Sequence, residues 1–256
     1  MGYLKRKWAT WLKMPEPSAP SSATAPNRAF HGDRMYQELV TSICASLSVS
    51  SFVETGTYLG DTTEFMARAV TFPIYTCEVK EAFFQSSAKR LQPYAHVSAL
   101  RESSDTFIKR VIGQETVGAL PLFFLDAHWY DYWPLVDEIQ LITSKISRCV
   151  IVIDDFQVPG RRDYSFCAGG GGSPEFSGRT TTDERICNFD LIQPALSRPS
   201  DYQLLYPSYQ YYQAFGNAPA EALVGYVVVF KNLEAEFKRV TESRLIQDNF
   251  NMVGVK

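Results

Sequence analysis

The chain lacks an excess of charge of either sign. Its 25 lysines and arginines meet 28 acidic residues for a formal net charge of −3, so nothing electrostatic draws it to nucleic acid. It has no apolar run as long as a membrane span and no signal peptide with a proper apolar centre, so no transmembrane segment is expected. Its cysteines (Cys44, Cys77, Cys149, Cys167, Cys187) are odd in number, far apart and without a CxxC pair. That favours reduced thiols, as in a cytoplasmic protein, over a disulfide framework. No Cys/His cluster points to zinc, and no internal repeat is found. Neither the G-x-G-x-x-G spacing nor the lysine of a P-loop is present, so NAD and ATP both fit poorly. What remains is ordinary globular composition, 45% hydrophobic and 21% charged over 256 residues, enough for one large α/β domain with a substantial core.

The organising stretch is residues 121–156. Two apolar runs, Leu122–Leu125 and Val150–Ile153, have the look of buried strands, and each ends abruptly in acid: Asp126 after the first, Asp154 and Asp155 after the second. Between them Leu135, Ile139, Ile142 and Ile146 form one helical stripe, with Pro134 in the first turn and Asp137 and Glu138 near the positive end of the dipole. A strand–helix–strand unit makes the strands parallel neighbours, so the acids converge at the edge where open α/β sheets bind ligands. The competing reading is that the acids only cap the helices that follow; an adjacent pair exceeds what capping needs.

The same pattern repeats upstream. Asp33 caps a helix with Tyr36, Val40, Ile43 and Leu47 on one face, ending near Ser48. A strand, a glycine turn and a helix follow in SFVETGTYLGDTTEF, with Asp61 as cap and Glu64 completing a capping-box-like pair. Ile74–Cys77 forms the next strand, then a helix bearing Phe84, Ala88 and Leu91, a strand near His96–Leu100, and a helix from Asp105 towards Ile112. After Phe156 the irregular, Gly- and Arg-rich residues 157–182 read as a mobile loop over the site, although Gly169–Gly172 equally suits a tether. A helix over Glu184–Leu196 started by Asp183 follows, then an antiparallel pair from Tyr202–Tyr206 and Gly225–Phe230 joined by an aromatic hairpin, and a charged, partly helical tail. The expected fold is a Rossmann-like, doubly wound α/β sheet of seven strands, mostly parallel with an antiparallel closing strand. It occupies residues 29–256, preceded by a basic segment and flexible linker over residues 1–28. Residues 1–14 suit peripheral contact with a membrane or a protein partner, or simply a frayed terminus. A homo-oligomer would use the apolar first helix and the aromatic hairpin.

The glycine turn Glu54-Thr55-Gly56-Thr57-Tyr58-Leu59-Gly60 opens a helix whose free N–H groups favour a carboxylate or phosphate. Glu78, 22 positions beyond Gly56 at the end of the next strand, is placed to accept both hydroxyls of a ribose. Ser103, Ser104 and Asp105 are placed to line an adenine pocket.

ETGTYLG, Glu78, LDAH and IDDF together resemble the class I S-adenosylmethionine (SAM)-dependent methyltransferases. Within them the chain is most similar to the metal-dependent small-molecule O-methyltransferases of the macrocin O-methyltransferase and cephalosporin-hydroxylase-like group. The resemblance covers residues 48–156. It implies that the glycine turn, through Gly56 and Gly60, holds the methionine part of SAM and that Glu78 holds the ribose; Glu54, Thr57, Tyr58, Ser103 and Ser104 complete the expected cofactor-binding set. It also implies Mg²⁺, or another hard divalent ion, on Asp126, Asp154 and Asp155, and a hydroxylated small molecule such as a sugar or natural-product intermediate as acceptor. Oxygen-only ligands suit such an ion, which can lower the pKa of a substrate hydroxyl. Asp126 and His128 are the catalytic candidates, His128 as general base or, with equal weight, as an orienting or helix-capping residue. Catechol-type relatives carry a lysine base where this chain has Trp129, a departure from that mechanism. Trp129, Tyr130, Tyr132 and Trp133 form either a stacking wall for substrate or plain core, and Arg161, Arg162 and Arg179 either meet an acidic group or are solvated. Two other classes stay open: a non-catalytic cofactor-binding or interaction module, and a metal-dependent hydrolase that leaves the glycine turn without a ligand.

Overall fold

The computed structural model describes residues 28–127, 133–168, 185–216 and 223–254. Five parallel strands form first in the chain: β1 (Ser51–Thr55), β2 (Ile74–Cys77), β3 (Val97–Leu100), β4 (Pro121–Leu125) and β5 (Cys149–Ile153). β1, β4 and β5 are buried along their whole length, which is why they read as continuous apolar runs rather than alternating ones. Helices α1 (Arg34–Leu47), α2 (Asp61–Ala69), α3 (Glu81–Leu91), α4 (Ser104–Gly113) and α5 (Leu135–Lys145) precede or connect them.

Among the described residues the main sheet has eight strands, one more than the sequence suggests, in the order β10 (Phe250–Gly254), β7 (Tyr202–Pro207), β9 (Val227–Lys231), β5, β4, β1, β2, β3. β7 (Tyr202–Pro207) and β9 (Val227–Lys231) form the expected antiparallel pair, and β9 is antiparallel to β5. The additional strand, β10 (Phe250–Gly254), pairs antiparallel with β7 at the edge. Only Phe250 of that strand is buried, so its sequence carries no alternation to announce it. A small second sheet pairs β6 (Tyr164–Ser165) with β8 (Leu223–Val224). Strand order reverses between β1 and β4, which leaves a crevice at their C-terminal ends.

Several local expectations change. Asp33 does cap α1, accepting from the Met35 and Tyr36 amides. Asp61 does not cap α2: the N-cap is Gly60, and Asp61 sits inside the first turn. Asp61 and Glu64 instead both pair with Arg90 of α3, at 2.8 and 2.7 Å. Ile146 lies just past the end of α5 in extended conformation. The helix expected over Glu184–Leu196 is cut to α6 (Phe189–Ile192), capped by Asn188, and a 3₁₀ turn containing Pro194; Asp183 and Glu184 lie outside the described residues. The aromatic connection is not a hairpin but contains a short helix, α7 (Tyr211–Phe215), closed by a Gln210/Gln213 capping box. Helices α8 (Glu234–Thr241) and α9 (Arg244–Asn249) follow β9. The apolar face of α1 is used up inside the domain, with Tyr36, Leu39, Val40 and Ile43 wholly buried, so it is no free oligomer surface. Residues 157–168 of the expected loop bury Val158, Tyr164 and Cys167; residues 169–182 and the segment 1–27 lie outside the described residues. No described helix is long and apolar enough to cross a membrane.

Candidate active site

The strand register brings the acids together. Thr55 pairs with Leu125, and Leu125 with Ile153, so the residues one step beyond, Asp126 and Asp154, emerge side by side. The ladder extends to them: the Asp126 amide donates to the Thr55 carbonyl and the Asp154 amide to the Leu125 carbonyl, each at 3.1 Å. Asp155 takes a left-handed conformation, φ 51°, and its carbonyl accepts from the Cys167 amide at 2.7 Å. One carboxylate oxygen from each of Asp126, Asp154 and Asp155 lies within 4.8 Å of the others.

Asp154 is held by two side chains from the start of the chain. Its side chain has no exposed surface. His31 reaches Oδ2 through Nε2 at 2.6 Å, and the Tyr36 hydroxyl donates to Oδ1 at 3.3 Å. Tyr36 in turn stacks on Tyr226 with ring centroids 3.5 Å apart. The Tyr209 hydroxyl donates to Asp33 Oδ2 at 2.7 Å and lies 3.0 Å from the Tyr226 hydroxyl, so Tyr226 donates to Tyr209. Burial raises the affinity of all three phenols for their protons, which keeps them donors. Burial also raises Asp33, against the opposing pull of its Tyr209, Tyr36 and Met35 hydrogen bonds.

The glycine turn packs directly against the acids. Gly56 has φ +87°, and a Cβ there would stand 2.8 Å from the Asp126 carbonyl oxygen, so only glycine fits. The Gly56 and Thr57 amides donate to the Cys77 carbonyl at 3.1 and 3.0 Å, tying the turn to β2. Tyr58 is left-handed at φ 49°, which aims its amide at Glu78 Oε2, 2.8 Å away; the Lys80 amide donates to Oε1, also at 2.8 Å. Burial pushes the Glu78 carboxyl up, and these amides pull it back. Glu54 lies beneath the turn, accepting from the Thr63 and Thr76 hydroxyls, and burial pushes it up to about 7. That packing makes Glu54 a brace for the turn. Ser103 is the N-cap residue of α4, its hydroxyl donating to Thr106 at 2.8 Å.

Beside Asp126 and Asp154 lies a small cavity also lined by Trp133, Glu138 and Cys187. Glu138 lies in the first turn of α5, as expected, and is also 1% exposed; burial pushes its carboxyl up to about 7 despite the nearby Ser104 and Thr55 hydroxyls. The Glu138, Ser104 and Thr55 side chains approach one another without completing a hydrogen bond. Trp133 is buried, with the Arg185 guanidinium 5.7 Å from its ring centroid. Arg161, partly exposed, is tied within the chain: it pairs with Asp163 at 2.6 Å and donates to the Ser208 and Tyr209 carbonyls. His128, Trp129, Tyr130 and Tyr132 lie outside the described residues, as does Arg179.

The structure therefore brings together Gly56, Tyr58, Glu78, Asp126, Asp154 and Asp155, and it adds His31, Tyr36 and Glu138. His31 is 123 positions from Asp154 and stands in no motif, so nothing local marks it. The all-oxygen acid set fits a hard divalent cation such as Mg²⁺ or Mn²⁺.

No family model matches the sequence, and no curated protein matches it. Solved structures do. The N-terminal domain of EvdMO1 with SAH bound aligns with a TM-score of 0.50 at 13% identity, covering 89% of this chain and 95% of that one. An O-methyltransferase from Bacillus cereus in complex with SAH scores 0.49 at 14% identity, covering 89% and 90%. The O-methyltransferase TomG from Streptomyces achromogenes, in complex with SAM, scores 0.48 at 13% identity, covering 90% and 99%. Strand order, the crevice at the β1–β4 reversal and the structural match together give this chain a Rossmann-like α/β fold, shared with the N-terminal domain of EvdMO1.

Proposed function

We propose that the protein is a SAM-dependent O-methyltransferase acting on a hydroxylated small molecule, with a divalent cation held by Asp126, Asp154 and Asp155. The observation that carries this reading is the contact between the two halves of the site: the turn at Gly56 packs on the backbone of Asp126, so a ligand lying on the glycine turn is adjacent to the acids. Gly56, Tyr58 and Gly60 would shape the bed for the methionine part of SAM, and Glu78 would take the ribose hydroxyls. Ser103 and Ser104 would border the adenine, with Ser104 buried beside Glu138.

Methyl transfer breaks the sulfonium S–CH₃ bond and forms an O–CH₃ bond along one line, so placement of the acceptor oxygen supplies much of the rate. A bound divalent ion would supply a lowered hydroxyl pKa and an anchor for the acceptor. The chain's own part is to hold three carboxylates in a fixed cluster, to exclude water through the buried faces of Trp133 and Asp154, and to take up the hydroxyl proton. His128, two residues beyond Asp126, is the base we assign.

Calorimetric titration with SAM and SAH, in Mg²⁺ and in chelator, tests the reading, followed by a screen of hydroxylated acceptors. One micromolar site is expected. Asp126→Ala and Asp154→Ala are expected to abolish turnover while cofactor binding largely survives. Absence of binding in both conditions sinks the methyltransferase reading, and turnover that persists in chelator with both acids removed sinks the cation.

A further inference from the structure

The N-terminal turn that delivers His31 is built unlike an ordinary helix lead-in. Phe30, His31 and Gly32 are left-handed in succession, at φ 49°, 61° and 75°. For the two non-glycine residues that conformation costs about 1–2 kcal/mol each, and it persists only where the surroundings enforce it. They do so here on both sides of the turn. Gln37 donates to the Ala29 carbonyl at 2.8 Å, and the Phe30 amide donates to Thr62 Oγ1 at 3.2 Å. The buried Phe30 ring packs edge-on against Phe65 and Phe124, and Asp33, at the end of the turn, is gripped by Tyr209. The product of this strain is one contact: the His31 ring laid on Asp154.

We propose that His31 is a positioning residue for the acid cluster, holding Asp154 through Nε2 in the orientation that lets the three carboxylates bind a divalent cation. This rests on the cation reading above and extends it to a residue from the opposite end of the chain. His31 is not among the residues whose ligand atoms share the 4.8 Å cluster, so it acts through Asp154 rather than as a ligand. The His31 N–H on Oδ2 and the Tyr36 hydroxyl on Oδ1 together prevent the Asp154 carboxylate from swinging to another rotamer. Without His31 that freedom returns in the unbound state and opposes binding. A histidine serving only to fill space needs no polar contact at 2.6 Å.

The test is Mn²⁺ binding by the full-length protein, read from the loss of the free-ion EPR signal, for wild type, His31→Ala, His31→Phe and His31→Gln. SAH affinity in chelator and a thermal melt accompany each variant. The expected result is an Mn²⁺ dissociation constant raised about 10–100-fold in the alanine and phenylalanine variants, unchanged SAH affinity, and substantial recovery with glutamine, which keeps an N–H. Where alanine does not fold, phenylalanine and glutamine carry the comparison. Wild-type affinity for Mn²⁺ in a folded variant lacking the N–H overturns the role of His31 and leaves the cation reading intact. A glutamine variant as weak as alanine or phenylalanine also overturns it, since packing is then the cause. A wild-type protein that binds no Mn²⁺ defeats the cation reading itself.

Discussion

Replacing Gly56 with alanine perturbs the join between the cofactor turn and the acids, and its magnitude can be worked from the backbone. An alanine at φ +87° carries the left-handed penalty of about 1–2 kcal/mol. Its Cβ also meets the Asp126 carbonyl oxygen at 2.8 Å and the Ala127 Cα at 3.2 Å. Both are backbone atoms, the first in a residue whose amide extends the β4 ladder to Thr55, so no flexible side chain can yield, and overpacking adds about 1–3 kcal/mol. Gly160 provides the internal control. It has φ +72° but nothing within 4 Å of the place its methyl would take, so Gly160→Ala bears the conformational penalty alone. Urea unfolding of both variants should therefore show Gly56→Ala as the less stable by about 1–3 kcal/mol. Titration with SAH should show weakened binding for Gly56→Ala only. A stability difference below about 0.5 kcal/mol, the range of an ordinary surface change, would refute the close packing of turn on acid.

Two further substitutions probe the buried polar groups. Glu138 holds its proton up to about 7 in the folded protein against an ordinary value near 4.5; the difference corresponds to about 3 kcal/mol. That contribution is complete below the unfolded value and is lost as pH rises through about 7. Glu138→Gln, which carries no charge, should match wild type at pH 4.5 and exceed it by up to about 3 kcal/mol at pH 8 in urea unfolding with chelator present; a pH-independent difference between the two proteins refutes the buried, proton-holding carboxyl. Tyr209→Phe removes the hydroxyl that donates to Asp33 and accepts from Tyr226, and should cost about 1–3 kcal/mol because both buried partners are left short. An unchanged denaturation midpoint would show that the Asp33–Tyr209–Tyr226 chain does not form.

Much of this molecule was legible in its residues. β1, β4 and β5 announce themselves as short apolar runs because strands covered on both faces have no polar side to alternate. Asp126, Asp154 and Asp155 are readable as a cluster because parallel pairing aligns C-terminal ends whatever the length of the connecting helix. Asp33 as a cap and Gly56 as a turn residue follow from local backbone chemistry that needs no partner far away.

Other features depended on which surfaces meet. Phe250–Gly254 became a strand by pairing with β7 rather than by its own pattern. Asp61 left a capping role for Arg90 because α3 packs against the start of α2, and Glu138, in the first turn of α5 as expected, is buried beside Ser104 of α4. His31 and Tyr36 reached Asp154 from more than a hundred positions away. Periodicity and local propensity determined the five parallel strands, the edge at which the acids emerge and the glycine turn beside them, since those are consequences of covalent geometry and of burying apolar faces. Only the tertiary structure decided which side chains hold the acids in place, because such contacts join distant residues through packing that no local pattern encodes.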